Sequence, residues 1–503
     1  MDSLAVVCVI AVIFLTVFYY FCTQTFDFWK LRGVRGPKPI PIFGNMKDVL
    51  LVKISMREYM AELYRTYKDE PLIGIYARRT PILIVKDPDL IKDVLIKDFT
   101  VFAERGVNFD EKVQPLSPHL FNLESKRWRP LRTKFTPIFT SGKLKEMFFI
   151  VSECADHLEK YTETLASKSE PVECHELMAK YTTNVIGNCV FGIETNSLTD
   201  DNAEFCKMGK MVTNSSWIKV FLIRLRQVAP SIFSFLRFIG ILSLPTYVKF
   251  FMNIVHETIE YRNKNNIVRH DFIDVLRKIK EEDKVGDIEI TDTLLVAQAY
   301  VFFVAGFDTS SITMCNVLYE LALHPKVQDK LREEVNEMYK KYGSSLTYDN
   351  VKEMQYLDKV FKETLRKYSV ATVIMRKVTS NYTFNGTNVT IPANQRLLIP
   401  VDALQRDPNI YPEPDVFDPE RFSDEAVKSR HPMFYLPFGD GPRNCIGSRF
   451  GTYQIKIGLV KLLRNYKFET CKETQIPYRI NSKAVLLSPV GGIVLKITKI
   501  EKT

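Results

Sequence analysis

The 503-residue chain lacks a long basic run, a paired cysteine spacing and a glycine-rich fingerprint for a nicotinamide or flavin nucleotide. Each absence excludes something. The net charge of +10 is spread along the chain, whereas a nucleic-acid binder concentrates its basic residues on one face. That excludes nucleic acid as a partner and leaves an acidic protein or anionic lipid as the natural match for a mildly basic surface. Nine cysteines, an odd number without paired spacing, do not make a disulfide framework. Eight of them also lack metal-site spacing and fit thiols packed in a reducing compartment. The N-terminus has neither a basic leader nor a small-residue cleavage site, so it does not read as a removable signal peptide.

What is present begins with Leu4 to Thr23, an apolar run without charge. At about 1.5 Å rise per residue such a run covers roughly the 30 Å of a bilayer core. Only Asp2 precedes it, while Lys30, Arg32, Arg35 and Lys38 follow, a bias that keeps the following chain on the cytosolic side. Alternating prolines in Gly36-Pro37-Lys38-Pro39-Ile40-Pro41 favour an extended, semi-rigid spacer. Four Asn-x-Ser/Thr sites, at Asn214, Asn381, Asn385 and Asn388, should stay bare on a cytosolic domain. With 46% hydrophobic residues, the remainder can bury a substantial core.

The most informative stretch is Phe438-Gly439-Asp440-Gly441-Pro442-Arg443-Asn444-Cys445-Ile446-Gly447. A lone cysteine is usually a small buried hydrophobe. Here Cys445 sits in a loop suited to holding one thiolate beneath a flat ligand. Gly441 and Gly447 allow sharp turns and close backbone approach, Arg443 supplies a fixed cation, and Phe438 supplies an apolar wall. The spacing Phe-x-x-Gly-x-Arg-x-Cys-x-Gly resembles the haem-binding loop of the cytochrome P-450 superfamily, the haem-thiolate monooxygenases, and in particular its insect microsomal detoxification members. The resemblance implies haem b (iron protoporphyrin IX) as cofactor with Cys445 as the iron ligand.

Three further motifs follow the family's order. Trp128 and Arg132 stand one helical turn apart, and the resemblance places them at the haem propionates. Pro130 between them fits if it lies in a helix's first turn. Thr293 to Leu323 reads as one long buried helix carrying Ala305-Gly306-Phe307-Asp308-Thr309. A satisfied polar cluster at a kink would explain these residues. The resemblance implies instead an oxygen-binding groove in which Gly306 leaves space, Thr309 donates a hydrogen bond and Asp308 helps bring protons. Glu363, Arg366 and Arg421 match a buried structural triad, and Arg376 matches another propionate partner. One departure stands out: Ser369-Val370 occupies the place of the family's usual proline pair, which alters the pocket wall.

Locally, Met56 to Tyr67 reads as a helix, Leu72 to Val85 as a hairpin turning at Thr80-Pro81, and Ala484 to Val494 as a strand pair. The apolar segment from Trp217 to Met252 is, by resemblance, a pair of helices roofing the pocket. The whole implies a mainly α chain with small β-sheets, the cytochrome P-450 fold: a transmembrane anchor over 1–23, a proline-rich hinge over 24–45 and a single large catalytic domain over 46–503. The expected activity is insertion of one oxygen atom from O2 into an apolar small molecule, a xenobiotic such as a plant toxin or insecticide. NADPH-derived electrons come from a separate reductase, with cytochrome b5 as a further partner, at the endoplasmic reticulum membrane and its lipid. Lys126, Arg127, Arg129 and Lys134 are candidates for the docking face, against a merely solvated helix. A narrow endogenous lipid or hormone hydroxylase, a haem-thiolate isomerase or dehydratase, and a non-enzymatic haem sensor are the alternatives.

Overall fold

The computed structural model describes residues 3–200, 203–213, 216–242, 244–269, 271–282, 284–343 and 346–501. Asn214 lies outside them. The chain is mainly helical with small sheets and divides into two compact units.

The first unit comprises Met1–Gly106, Ala371–Asp407 and His431–Arg443. Its centre is a four-stranded sheet in the order Leu72–Ala77, Thr80–Val85, Arg396–Ile399, Ile374–Lys377. The outer pairs are antiparallel and the central pair parallel, with Ile82 opposite Arg396 and Arg376 opposite Leu397. Strand side chains alternate between faces, and here both faces are buried. Leu72, Tyr76, Leu83, Val85, Leu397 and Ile399 join one apolar cluster, while Ile73, Ile75, Ile82, Ile84 and Leu398 join another. The hairpin turns at Arg78 and Arg79 rather than at Thr80-Pro81, because Ala77 pairs with Thr80 and Tyr76 with Pro81. The helix expected after the hinge spans Met56–Thr66, opened by a capping box between Ser55 and Glu58.

The apolar run forms the helix Ser3–Thr23, none of whose most apolar window is buried. Beyond it the proline-rich segment lies along the hairpin. Gly74 donates its N–H to the Arg35 carbonyl at 2.8 Å, and Trp29, 3% exposed, donates Nε1–H to the Ile75 carbonyl at 3.0 Å.

The second unit comprises Val107–Val370, Pro408–Arg430 and Asn444–Thr503. Its axis is the core helix Asp292–Leu323, capped by Thr291 Oγ1, which accepts from Leu294 N at 3.2 Å, and stopped at His324 before Pro325. It too is apolar and long enough to span a bilayer, yet 72% of the relevant window is buried inside the protein. The helix Cys174–Ile186 packs along it. A three-stranded sheet joins Tyr466–Glu469, Val494–Lys499 and Val172–Glu173. Ala484 to Val494 is not a strand pair: it runs as a loop with one isolated bridge between Ile480 and Pro489. Proline cannot donate to a ladder, and Gly491 and Gly492 both take positive φ.

The apolar segment from Trp217 forms three helices rather than two: Trp217–Val228, Pro230–Phe238 and Thr246–Lys264. Pro230 starts a new helix at its first position. Trp217, Phe221, Phe235 and Phe238 on the first two are exposed. The Glu363–Arg366–Arg421 triad does form. Arg366 Nε lies 2.7 Å from Glu363 Oε2 with both side chains at zero exposure, and Arg421 Nε is 3.5 Å from Glu363 Oε1.

Candidate functional site

Cys445 is exposed, whereas Cys22, Cys154, Cys174, Cys189, Cys206 and Cys315 are buried. Burial pushes the Cys154 thiol up to about 12 and Cys315 well above its ordinary value, so these thiols stay protonated and unreactive. Cys445 stands just ahead of the helix Ser448–Asn465, whose N-terminal dipole favours negative charge.

Arg132 fixes this loop. Its Nη1 donates to the Asn444 carbonyl at 3.0 Å and its Nη2 to Asn444 Oδ1 at 2.9 Å. Both bonds thus fall on the residue before Cys445. Burial lowers the Arg132 pKa, and the charge on the Cys445 sulfur opposes that shift. Arg132 belongs to the helix Ser125–Phe135, with Trp128, 3% exposed, one turn before it. Pro130 is not in the first turn of that helix, which starts earlier than the sequence suggests; its ring removes one internal hydrogen bond in the second turn.

On the core helix the chemistry-bearing residues fall on two faces. Val301, Ala305 and Thr309, at four-residue spacing, form an open stripe: Ala305 is exposed and the other two half-buried. Their neighbours Phe302, Phe303, Phe307 and Asp308 are buried. Thr309 Oγ1 donates back to the Ala305 carbonyl at 2.5 Å. Neighbouring side chains also take the next carbonyls: Gln454 Nε2 donates to Gly306 O at 3.1 Å and Thr182 Oγ1 to Phe307 O at 3.0 Å. Bonds of this kind bend helices. The space beside Gly306 is filled, contrary to the groove that the resemblance implies. A Cβ there would strike the Ile186 side chain, so the missing atom serves close packing against the helix Cys174–Ile186. Asp308 faces that helix as well, with His175 Nε2 at 3.7 Å from its Oδ1.

Of the remaining candidates, Gly441, Arg443, Phe438 and Arg376 belong to the first unit and Gly447 to the second. Gly441 has φ 73°, and a Cβ on it would strike the Leu95 carbonyl. Its role is a tight turn against protein backbone. Gly447 differs: its φ is −90° and a Cβ would meet no atom within 4 Å. Arg443, 2% exposed, donates Nη1–H to the Ala103 carbonyl, and its own carbonyl accepts from Arg105 Nη2 at 3.2 Å. Phe438 is half-buried. Arg376, also 2% exposed, donates Nη1–H to the Met375 carbonyl at 2.9 Å, while its Nε has no partner among the described residues. Burial pushes its pKa down to about 10. A buried guanidinium with an unused donor fits an acidic group on a ligand, since arginine pairs carboxylates with charge-assisted bonds.

Asn444, Gln454, Thr182 and His175 were not foreseen. Asn444 and Gln454 lay in or beside recognisable motifs, but their partners are distant in the chain. His175 gives no periodic signal at all.

The sequence profile described as Cytochrome P450 matches residues 34–496. The chain is 40% identical over 499 residues to "Cytochrome P450 6B2" of Helicoverpa armigera, covering 97% of each protein. It is 41% identical to "Probable cytochrome P450 6a14" of Drosophila melanogaster, covering 95% of this chain and 96% of that one. It is 39% identical to "Cytochrome P450 6A1" of Musca domestica, covering 96% of both.

Proposed function

The chain belongs to the cytochrome P450 family and is a haem b monooxygenase, and on that premise we propose that it oxidises apolar xenobiotics at the endoplasmic reticulum membrane. Bound haem b supplies the activation of O2 that delivers one oxygen atom to the substrate and the other to water.

The chain's own part is to hold, orient and protonate. Cys445 Sγ is the iron ligand, and Arg132 keeps its loop fixed through Asn444. Trp128, Arg132, Arg376 and Arg443 hold the propionates, with Phe438 as a wall and Gly441 and Gly447 shaping the turn. Val301 and Ala305 present an apolar surface to the substrate. Thr309 holds a proton at Oγ1 and Asp308 supplies the proton that makes water the leaving group. The helix Ser3–Thr23 is a single-pass anchor, residues 24–45 are the hinge, and residues 46–503 form one catalytic domain on the cytosolic side. NADPH-cytochrome P450 reductase delivers the electrons, with cytochrome b5 as a second donor. Arg127 is committed to Glu111 and Glu124, and Lys134 to Glu282, which leaves exposed Lys126 and Arg129 as the better docking candidates.

The observation that carries this reading is the exposed Cys445 beside an Asn444 clamped by the half-buried Arg132. It is tested by the carbon monoxide difference spectrum of the reduced protein. A strongly red-shifted band in the wild type, absent in Cys445→Ala, is the expected result. Well-folded, haem-loaded wild type without that band overturns the assignment. Turnover of an apolar toxin or insecticide with NADPH and reductase, in microsomes, then tests the substrate class and setting.

A further inference from the structure

The core helix separates two environments at residues 308 and 309. Consecutive helical residues diverge by about 100°, so Thr309 lies on the open stripe while buried Asp308 turns toward the helix Cys174–Ile186. Asp308 is the sole carboxylate on the core helix between Asp292 and Glu320. A proton donor buried there needs a source on its far side.

That side holds His175, with Nε2 3.7 Å from Asp308 Oδ1 and 3.4 Å from Ser311 Oγ. The histidine side chain keeps 30% of its surface exposed, whereas Asp308 keeps 11%. His175 also lines a cavity of about 310 Å³, with Glu173, Ser488, Pro489, Gly491 and Gly492 as the other walls. Glu173 is held in place by three backbone donors: His175 N at 3.0 Å, Glu176 N at 2.6 Å and Ile493 N at 3.0 Å. The imidazole therefore touches solvent-accessible space on one side and the buried acid on the other.

We propose that His175 is a positioning residue that relays protons from this cavity to Asp308. The inference rests on the proton role proposed for Asp308. In the step, the His175 Nε2–H proton passes to Asp308 Oδ1, across a gap that one water bridges. The neutral imidazole then regains a proton from bulk water through the cavity. No bond other than N–H and O–H changes. The groups that set its charge are Asp308 on the core helix, Glu173 and Glu176 on its own side, and two lysines. Lys210 pairs with Glu176, and Lys219 acts on Asp308 from the helix Trp217–Val228. Burial lowers the His175 pKa, but Asp308, Glu173 and Glu176 outweigh it and the net shift is upward. A purely structural ion pair would have no need of a cavity or of a titratable cation. A relay needs both.

The test uses the full-length protein with reductase, measuring product formed and hydrogen peroxide released per NADPH between pH 6 and 9. His175→Gln is expected to raise the peroxide share by roughly tenfold, less than loss of a direct general acid, to raise the solvent isotope effect, and to flatten the pH dependence. His175→Lys, charged to about pH 10, is expected to restore coupling and move the falling limb upward. Independently of turnover, NMR of ring-labelled histidine should show two imidazoles with a raised pKa, His175 and His324; one of the two signals should be absent in His175→Gln and shifted down in Asp308→Asn. Unchanged coupling and isotope effect in His175→Gln overturn the relay. So does an equal impairment in His175→Gln and His175→Lys, which marks a structural role. Asp308→Asn separates the two readings: if it stays fully coupled, the proton role of Asp308 itself fails. If it uncouples while His175→Gln does not, only the relay fails.

Discussion

Arg132 spends two guanidinium donors on a single residue, Asn444, which immediately precedes Cys445. The contact couples a helix over residues 125–135 to a loop more than three hundred residues later in the chain. Hydrogen bonds to a charged group are worth about 1.5–3 kcal/mol each. Arg132→Ala should therefore speed haem loss by roughly tenfold or more, seen as decay of the Soret band in the presence of a haem scavenger. Arg132→Lys, with one point charge and no fork, should recover only part of the retention. Equal haem-loss rates in all three proteins would show that the Asn444 clamp is unimportant.

The two glycines of the cysteine loop should respond differently to alanine. At Gly441 the φ of 73° and the facing Leu95 carbonyl both oppose a Cβ, and strain of this kind costs on the order of 1–3 kcal/mol. At Gly447 neither obstacle exists. We expect Gly441→Ala to give little haem-loaded protein and Gly447→Ala to fold with near-normal yield. Spectroscopically titrated holoprotein per unit of expressed chain decides it, and a reversed order would contradict the loop geometry.

Breaking the buried Glu363–Arg366 pair should destabilise the second unit severely. Removing one partner of a buried pair leaves an uncompensated charge and costs about 3–5 kcal/mol. Glu363→Gln should lower the thermal midpoint by several degrees, whereas a paired apolar replacement of both residues should recover part of the loss. A midpoint unchanged in Glu363→Gln would remove the triad from the structural account.

His324 gives a pH dependence with a definite sign. Its hydrogen bond to Glu320 raises its pKa above the unfolded value, against the lowering effect of burial. A raised cation contributes stability that is complete below about pH 6.5, the unfolded value, and is lost as pH rises through the folded pKa. Thermal midpoints should therefore fall more steeply on the alkaline side of pH 6.5 in the wild type than in His324→Gln. Parallel curves would show that this pair does not contribute.

Asn381, Asn385 and Asn388 are all exposed, so sterics do not protect these glycosylation sites. Their state reports topology. With the globule on the cytosolic side, treatment with a glycosidase should leave the electrophoretic mobility unchanged. A mobility shift would place these residues in the lumen and reverse the proposed orientation of the anchor.

Much of the fold was legible where local pattern and burial agree. The core helix was readable because it is apolar nearly all round and its end is marked by His324-Pro325. The Glu363–Arg366 spacing on one helix face, with Arg421 downstream, likewise survived as a buried triad. The errors arose where a residue's meaning depends on a partner remote in sequence. Gly306 looked like space in a groove, but its facing atom belongs to Ile186, on a helix more than a hundred residues earlier. The stretch Ala484 to Val494 has strand-like composition yet finds no ladder partner until Val494, which pairs with Glu173. His175 was invisible because one histidine near a helix start carries no pattern. Only the fold places it against Asp308.

The docking of residues 25–35 along the hairpin has a mechanical consequence. Thr25 Oγ1 donates to the Arg79 carbonyl at 2.8 Å, the Tyr76 hydroxyl donates to the Phe26 carbonyl at 2.8 Å, and the Trp29 ring lies over Gly74, where a Cβ would collide with it. The chain is thus gripped by the sheet within a turn or two of leaving the apolar helix. A pull on that helix loads a strand of the sheet rather than a slack leash. A soluble form cut after Thr23 keeps this grip, whereas one cut at residue 46 strips Trp29 from Gly74 and bares the sheet to water.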